Sequence, residues 1–197
     1  SLNRALADLG LGAVTEAQVR DWVGRGAARL IEVALQHVVP HHAQDPQKHA
    51  VETRLLAAFM ARYQDSVCEA STVYPGVAEF VAAAREAGIR LACVTNKPYR
   101  PAVALLEALN LLDAFELVIG GDTLAHKKPH PEPLLHCLRH FEVTAAQALM
   151  VGDSRNDVDA AKAAGVKSLA LPYGYNHGES IEACEPDRLV ASLAELI

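Results

Sequence analysis

The feature that most constrains this chain is a regular alternation of short apolar strands and amphipathic helices, which begins at Tyr74. The pattern predicts helices at 76–87, 100–109, 131–140 and 156–164, and strands at 89–95, 116–120, 148–152 and 167–171. Gly88 and Gly165 follow two of the helices, where glycine commonly ends a helix. Strands that alternate with helices pair in parallel. The sequence therefore predicts an α/β fold with a doubly wound parallel sheet.

The first 72 residues have a different pattern, because their apolar residues recur only at helical spacing. Leu2, Leu6 and Leu9 form one such series, and the polar segment 41–49 predicts a loop between two later helices. We therefore expect a small all-helical domain at 1–72 and an α/β domain at 73–197. A chain of 197 residues with 51% apolar residues is large enough to bury a core in both.

Charge and hydropathy narrow the choice of partners. The net charge is −6 and no Lys/Arg cluster is present, which argues against nucleic acid or an anionic membrane as a partner. The sequence has neither a signal peptide nor an apolar run of the roughly 20 residues that a membrane span needs. Four widely spaced cysteines suit reduced thiols, so we expect a cytoplasmic protein.

Polar side chains follow the predicted strands, at the edge where open α/β sheets bind ligands. Thr95 and Asn96 come after one strand, and Asp153 and Asp157 come after another. Between them, three prolines hold Lys128 near the start of a helix. A hydroxyl, an amide, a lysine and two carboxylates are therefore predicted to converge on one edge of the sheet.

Each of these residues also has a purely structural explanation. Thr95, Asn96 and Asp157 are suitable helix caps, because the first turn of a helix has unpaired N–H groups and attracts negative charge. Lys127 is interpreted as a surface charge. Capping and metal binding therefore both remain open for the pair of aspartates.

Taken together, the residues fit phosphate chemistry, which needs a cation, a lysine and neutral donors around the phosphate oxygens. Asp153 offers the hard oxygen ligand that Mg²⁺ prefers, and Asp157 either joins it through a metal-bound water or orients the loop. Lys128 supplies a positive charge, and Thr95 with Asn96 the neutral donors. The sequence thus predicts a Mg²⁺-dependent site for a phosphate group.

The segments that carry these residues resemble a known family. The order Thr95-Asn96, Lys128-Pro129 and Gly152-Asp153 resembles the second, third and fourth motifs of the haloacid dehalogenase-like (HAD) hydrolases. Four segments closely resemble the bacterial phosphoglycolate phosphatases, namely VTNKP, GGDTLAHKKPHPEPL, VGDSRNDVDAAKAAGV and YGYNHGE. The resemblance implies a Rossmann-like core, a helical cap at 1–72, Mg²⁺ held by Asp153, and Lys128 steadying the phosphate.

The family's first motif, Asp-x-Asp-Gly at the end of a central strand, is not in this sequence. The resemblance implies that its two aspartates form an aspartyl-phosphate and protonate the leaving alcohol. Without that strand, the sheet would have a gap beside the strand that bears Asp153. We therefore expect that about one strand and its loop are missing, and that a polypeptide beginning at Ser1 is a poor catalyst.

The resemblance implies 2-phosphoglycolate, a small phosphorylated organic acid, as substrate, hydrolysed by a monomer or homodimer. Within the helical region, Arg25 and Arg29 and the turn 23–26 are predicted to bind its carboxylate, although both arginines also suit an exposed surface. A sugar-phosphate phosphatase and a non-catalytic interaction module remain alternatives. A phospho-accepting receiver domain is disfavoured, because its acidic pair precedes its Thr and Lys.

Overall fold

The structure, a computed structural model, describes residues 1–39, 41–66, 71–174 and 179–197. Residues 1–66 form only helices in their described part, as the periodicity predicts. These helices are α1 (Leu2–Asp8), α2 (Glu16–Trp22), α3 (Ala27–Val38) and α4 (Lys48–Ser66). Thr15 starts α2 with a capping box, because its side chain accepts from Gln18 N and the Gln18 side chain bonds back to Thr15 N.

From residue 77 onward, helices and strands alternate. The elements are α5 (Val77–Glu86), β1 (Ala92–Val94), α6 (Tyr99–Ala108), β2 (Leu117–Ile119), α7 (Glu132–Phe141), β3 (Leu149–Gly152), α8 (Arg155–Ala164), β4 (Lys167–Ala170) and β5 (Arg188–Leu189). Gly165 ends α8 with a φ of 71°, the left-handed conformation that glycine adopts without strain. The α/β prediction is confirmed, and each predicted helix lies within about one residue of its predicted bounds.

Two predictions of strand extent were wrong. The predicted strands 89–95 and 116–120 are each three residues long, and β5 was not predicted at all. Arg188 and Leu189 are both exposed, so this short edge strand shows no apolar alternation that a sequence pattern could detect. The predicted loop 41–49 contains a 3₁₀ turn at His42–Gln44 and ends where α4 begins.

The strands pair in parallel but form two separate sheets. One sheet contains β1 and β2, with Cys93 opposite Val118, and the other has the order β3-β4-β5, with Val151 opposite Leu169. In the described residues, no strand ladder joins β1 to β3, so one edge of β3 has no strand partner. The sheet therefore divides beside the strand that leads to Asp153.

The helical region and the α/β region have separate apolar cores. One cluster lies wholly within the helical region, and its fully buried members include Leu6, Ile31, Leu35 and Leu55. The α/β region has three smaller clusters instead, one of which places Val94 of β1 against α7 and α8. None of the described helices combines the length and the apolar composition needed to cross a membrane.

Candidate active site

The loop after β3 is held by the side chain of Asp157. Asp157 Oδ2 accepts hydrogen bonds from the backbone N–H groups of Asp153 and Ser154, both at 3.0 Å, while the Ser154 side chain caps α8. A Cβ on Gly152 would lie 2.3 Å from Asp157 Cβ, so this close approach requires glycine. The predicted capping role of Asp157 is thus observed, and it fixes the loop that presents Asp153.

The other oxygen of Asp157 forms a buried ion pair with Lys128. Lys128 Nζ lies 2.6 Å from Asp157 Oδ1, and both side chains are less than a tenth exposed. Lys128 Nζ also donates to the backbone oxygen of Val94 at the end of β1. Lys128 therefore connects the end of β1, in one sheet, to α8, which follows β3 of the other sheet. Asp157 balances this buried charge, and its predicted role as a metal ligand stays a prediction.

Asp153 has no comparable positive partner. Its carboxylate is half-buried and forms no ion pair with a described residue. Burial raises the pKa of Asp153 above its usual value, and the negative charge of Asp157 raises it further, although the charge of Lys128 and the backbone N–H of Asp153 itself act to lower it. Gly174 packs on the carboxylate so closely that a Cβ there would lie 2.3 Å from it. A carboxylate that has no ion-pair partner of its own fits as an oxygen ligand of a hard divalent cation.

The described residues contain no group of three or more His, Cys, Asp or Glu side chains that could hold a metal by themselves. Mg²⁺ commonly binds through one or two carboxylates and completes its shell with water and substrate phosphate. Asp153 therefore fits as one ligand of an open site, with Asp157 as a neighbour that orients the loop.

Thr95 and Asn96 directly follow Val94, whose carbonyl contacts Lys128, but they differ in what they can offer a ligand. The Thr95 hydroxyl accepts from Lys97 N at 3.1 Å and keeps its own hydrogen for donation. Asn96 Nδ2 donates to Lys128 O at 2.8 Å and to Gly24 O at 3.0 Å. Its two N–H bonds are thus taken by carbonyl groups, so Asn96 links chain segments instead of offering these donors to a phosphate.

The turn 23–26 of the helical region contacts residues of this site. Gly24 O accepts from Asn96 and, at 3.3 Å, from Asn156 Nδ2. A Cβ on Gly26 would lie 2.5 Å from Lys127 Nζ, which places the Lys127 ammonium group against the turn. The sequence interpretation of Lys127 as a plain surface charge missed this contact, because it depends on two segments about 100 residues apart.

The two arginines predicted to bind the substrate have different surroundings. Arg25 is exposed in the turn, between the two glycines that contact the site. Arg29 Nη1 lies 2.5 Å from Glu32 Oε2 on the exposed side of α3. The structure therefore brings Arg25 near the site but pairs Arg29 elsewhere, and binding of a substrate by either arginine stays a prediction.

Sequence reasoning placed Gly24 in a substrate-binding turn but missed that its carbonyl accepts from two asparagines, and it missed the contacts of Asn156 and Gly174. Their only local signal was a glycine or an asparagine near a motif, which also fits a turn or a helix cap.

The neighbouring Asp122, which follows β2, caps α6 by accepting from Tyr99 N at 2.7 Å. Part of the YGYNHGE segment, residues 175–178, lies outside the described residues.

This fold and site define a Rossmann-like α/β hydrolase with a lysine–carboxylate centre beneath a helical region. The chain belongs to the haloacid dehalogenase-like hydrolase family, whose profile matches residues 1–171, and within it to the bacterial phosphoglycolate phosphatases. This confirms the family predicted from the motifs. Proteins of this family generally use a divalent metal, consistent with the free carboxylate of Asp153.

Three similar proteins illustrate the relationship. The phosphoglycolate phosphatase of Nitrosococcus oceani is 44% identical over 95% of this chain and 82% of its own length. A crystal structure of a predicted phosphoglycolate phosphatase from Haemophilus somnus has a TM-score of 0.88 and 32% identity, and the match covers 99% of this chain and 86% of that one. The phosphate complex of CbbY from Rhodobacter sphaeroides has a TM-score of 0.73 and 30% identity, with the same coverage.

Proposed function

We propose that this protein hydrolyses 2-phosphoglycolate to glycolate and phosphate. The observation that carries the proposal is the buried Lys128–Asp157 pair beside Asp153, which has no ion-pair partner of its own, in a chain 44% identical to a phosphoglycolate phosphatase. Lys128 and the Thr95 hydroxyl would bind phosphate oxygens, and their fixed positions would stabilise the charge of the transferring group without reorganisation.

Mg²⁺ is the divalent cation that we propose for Asp153, with Asp157 as a ligand through water or as the residue that orients the loop. The ion would neutralise phosphate charge, as divalent cations do in phosphoryl transfer. The rigid loop would keep Asp153 in place for this, because its backbone N–H is held by Asp157 Oδ2 at 3.0 Å.

The nucleophile is proposed to lie on a further strand that pairs with the open edges of β1 and β3. An aspartate at the end of such a strand would lie between Lys128 and Asp153, because both flank the division of the sheet. That carboxylate would form the aspartyl-phosphate, and a second aspartate would protonate the leaving alcohol and then activate water. Lys128 would hold the nucleophile and the phosphate together.

We also propose that residues 1–72 act as a cap over the 73–197 core and help to select the substrate. The turn 23–26 supports this role, since Gly24 O is bonded to two core residues. Arg25 and the N–H groups of the turn would bind the carboxylate of 2-phosphoglycolate, with Arg29 as a second candidate. The free thiols of Cys93, Cys137 and Cys184 fit a reducing compartment, and we propose the cytosol.

A panel of phosphate esters tests the proposed function in the full-length protein. We expect the highest kcat/KM for 2-phosphoglycolate, with activity lost in a chelator and restored by Mg²⁺. A higher value for sugar phosphates would reassign the substrate. Absence of hydrolysis for every ester, with Mg²⁺ bound and the protein folded, would support a non-catalytic module instead.

The variant Asp153→Asn tests the metal assignment. Loss of one hard ligand is expected to reduce Mg²⁺-dependent activity by about 100-fold or more without unfolding the protein. Asp122→Asn is the matched control, because Asp122 also follows a strand but only accepts a hydrogen bond from Tyr99 N, which asparagine can still accept. If Asp153→Asn kept full activity and unchanged metal dependence, Asp153 would have only a structural role.

A further inference from the structure

The carbonyl group of Gly24 is the meeting point of the helical region and both halves of the core. It accepts from Asn96, which follows β1, and from Asn156, which begins α8 after β3. The two strands that these asparagines follow belong to the two separate sheets. One backbone oxygen of the turn is therefore bonded to both sides of the division in the core.

The orientation of the Asn96 amide follows from its neighbours. Gly24 O and Lys128 O are both acceptors, so the amide must direct its nitrogen toward them at 3.0 and 2.8 Å. The remaining oxygen, Asn96 Oδ1, is buried without a hydrogen-bond partner in the part of the chain that the structure describes. Such unsatisfied polar atoms are uncommon and each needs a reason, for which a functional position is one candidate.

The conformation of the turn explains why the carbonyl can reach the core. Gly24 has a φ of 108° and Gly26 a φ of 90°, and residues other than glycine rarely adopt such positive φ angles. Asn156 reaches the same oxygen from its place in the first turn of α8, where its Nδ2 also lies 3.3 Å from Ser154 Oγ. Two glycines and two asparagines thus build one contact between four chain segments.

We propose that Asn96 and Asn156 form a latch that holds the cap turn closed on Gly24 O, and that Asn96 is a positioning residue that couples this closure to Lys128. Because a single Asn96 amide bonds to both Gly24 O and Lys128 O, movement of the turn removes one of its two partners. Closure of the turn and the backbone position of Lys128 are therefore linked through one side chain. The catalytic part of this inference rests on the proposed function, whereas the latch itself does not.

Nuclear magnetic resonance tests the latch without any substrate. In the folded protein we expect nuclear Overhauser effects from the side-chain amide protons of Asn96 and Asn156 to the Hα protons of Gly24. We also expect slow solvent exchange for the Asn96 amide, since both of its N–H bonds are occupied. Absence of these effects from a folded protein would overturn the latch, whatever the substrate proves to be.

Kinetics of two variants test the coupling. Asn156→Ala removes one bond to Gly24 O, and we expect KM to rise about 2- to 10-fold with kcat nearly unchanged, the range that one net hydrogen bond allows. Asn96→Ala should raise KM similarly and also lower kcat, because Lys128 O loses its donor. An unchanged kcat in Asn96→Ala would overturn the coupling to Lys128.

Asn3→Ala is the control for an asparagine with only a structural role. Asn3 exchanges two hydrogen bonds with Val14 inside the helical region, at 2.8 and 2.9 Å. Its loss should lower Tm while leaving kcat, KM and the resonances of Gly24 unchanged. Each variant is measured with 2-phosphoglycolate and with an aryl phosphate. If 2-phosphoglycolate is not the substrate, wild type and all variants will hydrolyse it slowly. If the latch does not exist, the Asn96 and Asn156 variants will have the same kinetics as wild type on both substrates.

Discussion

The helical region and the α/β region are held together in different ways. The helices share one continuous apolar cluster, whereas the core has three small clusters and a sheet in two parts. The two parts of the sheet are connected at the site by the polar contacts of Lys128 with Val94 O and Asp157. The comparison teaches that apolar packing holds the helical region together, whereas the polar contacts of the candidate active site help to hold the α/β region together.

The largest expected effect in this comparison comes from Lys128→Met. Removal of one partner leaves the buried Asp157 charge unpaired, which should cost about 3–5 kcal/mol of unfolding free energy in urea titrations. Phosphatase activity should fall by about 100- to 1,000-fold, as when a donor to a developing negative charge is lost. Lys127→Met is the control and should change both quantities far less.

The double variant Lys128→Met with Asp157→Asn separates the two roles of the pair. With both charges removed, much of the stability should return while the activity stays lost. Equal activity losses in the Lys127 and Lys128 single variants would contradict the assignment of Lys128.

Leu35→Ala tests how much apolar packing stabilises the helical region. Leu35 is fully buried in the helical cluster, and truncation should cost about 2–5 kcal/mol. Hydrogen exchange should reveal the loss in α1, α3 and α4, with the protection of β3 and β4 retained. Equal loss of protection in both regions would mean that they unfold as one cooperative unit.

The reactivity of the Cys137 thiol measures how tightly α7 packs against the core. Burial raises the pKa of its thiol from 9.0 to about 11, so its thiolate fraction near pH 8 should be about 100-fold lower than in the unfolded chain. Alkylation at Cys137, followed by peptide mass spectrometry, should be slower in the native protein than in urea by about that factor. Equal rates would indicate that α7 opens readily.

The same raised pKa sets the sign of a pH effect on stability. Between pH 9 and about 11 the unfolded chain loses the Cys137 proton while the folded protein keeps it. The contribution of Cys137 to stability is therefore complete below pH 9 and declines as the pH rises toward 11.

The smallest expected effect concerns the two arginines of the helical region that are proposed to bind the substrate. Arg25→Ala should lower kcat/KM for 2-phosphoglycolate by about tenfold and leave an aryl phosphate unaffected, because only the first carries a carboxylate. Arg29→Ala distinguishes the two candidate arginines and should have the smaller effect, since Arg29 is paired with Glu32 on the exposed face of α3. Parallel losses on both substrates would mean that the cap shields the site without selecting the substrate.

The pattern of the sequence was sufficient for much of the fold and for part of the site. Alternating periodicity located every helix from α5 to α8, strand ends located Thr95 and Asp153, and the prolines before a helix located Lys128. The role of Asn96 was not predictable, because an asparagine after a strand equally fits a cap, a ligand donor or a link. Only its bonds to Gly24 O and Lys128 O distinguish these possibilities.

By itself, the sequence determined the α/β class, the family and the edge of the sheet where polar residues collect, since these depend on local periodicity and short motifs. Tertiary structure alone decided that Asp157 balances Lys128, 29 residues away, and that Asn96 bonds to Gly24, 72 residues away. Side chains of the same type can face solvent, cap a helix or form a buried pair. The choice depends on which distant donor, acceptor or charge the folded chain brings within hydrogen-bonding distance.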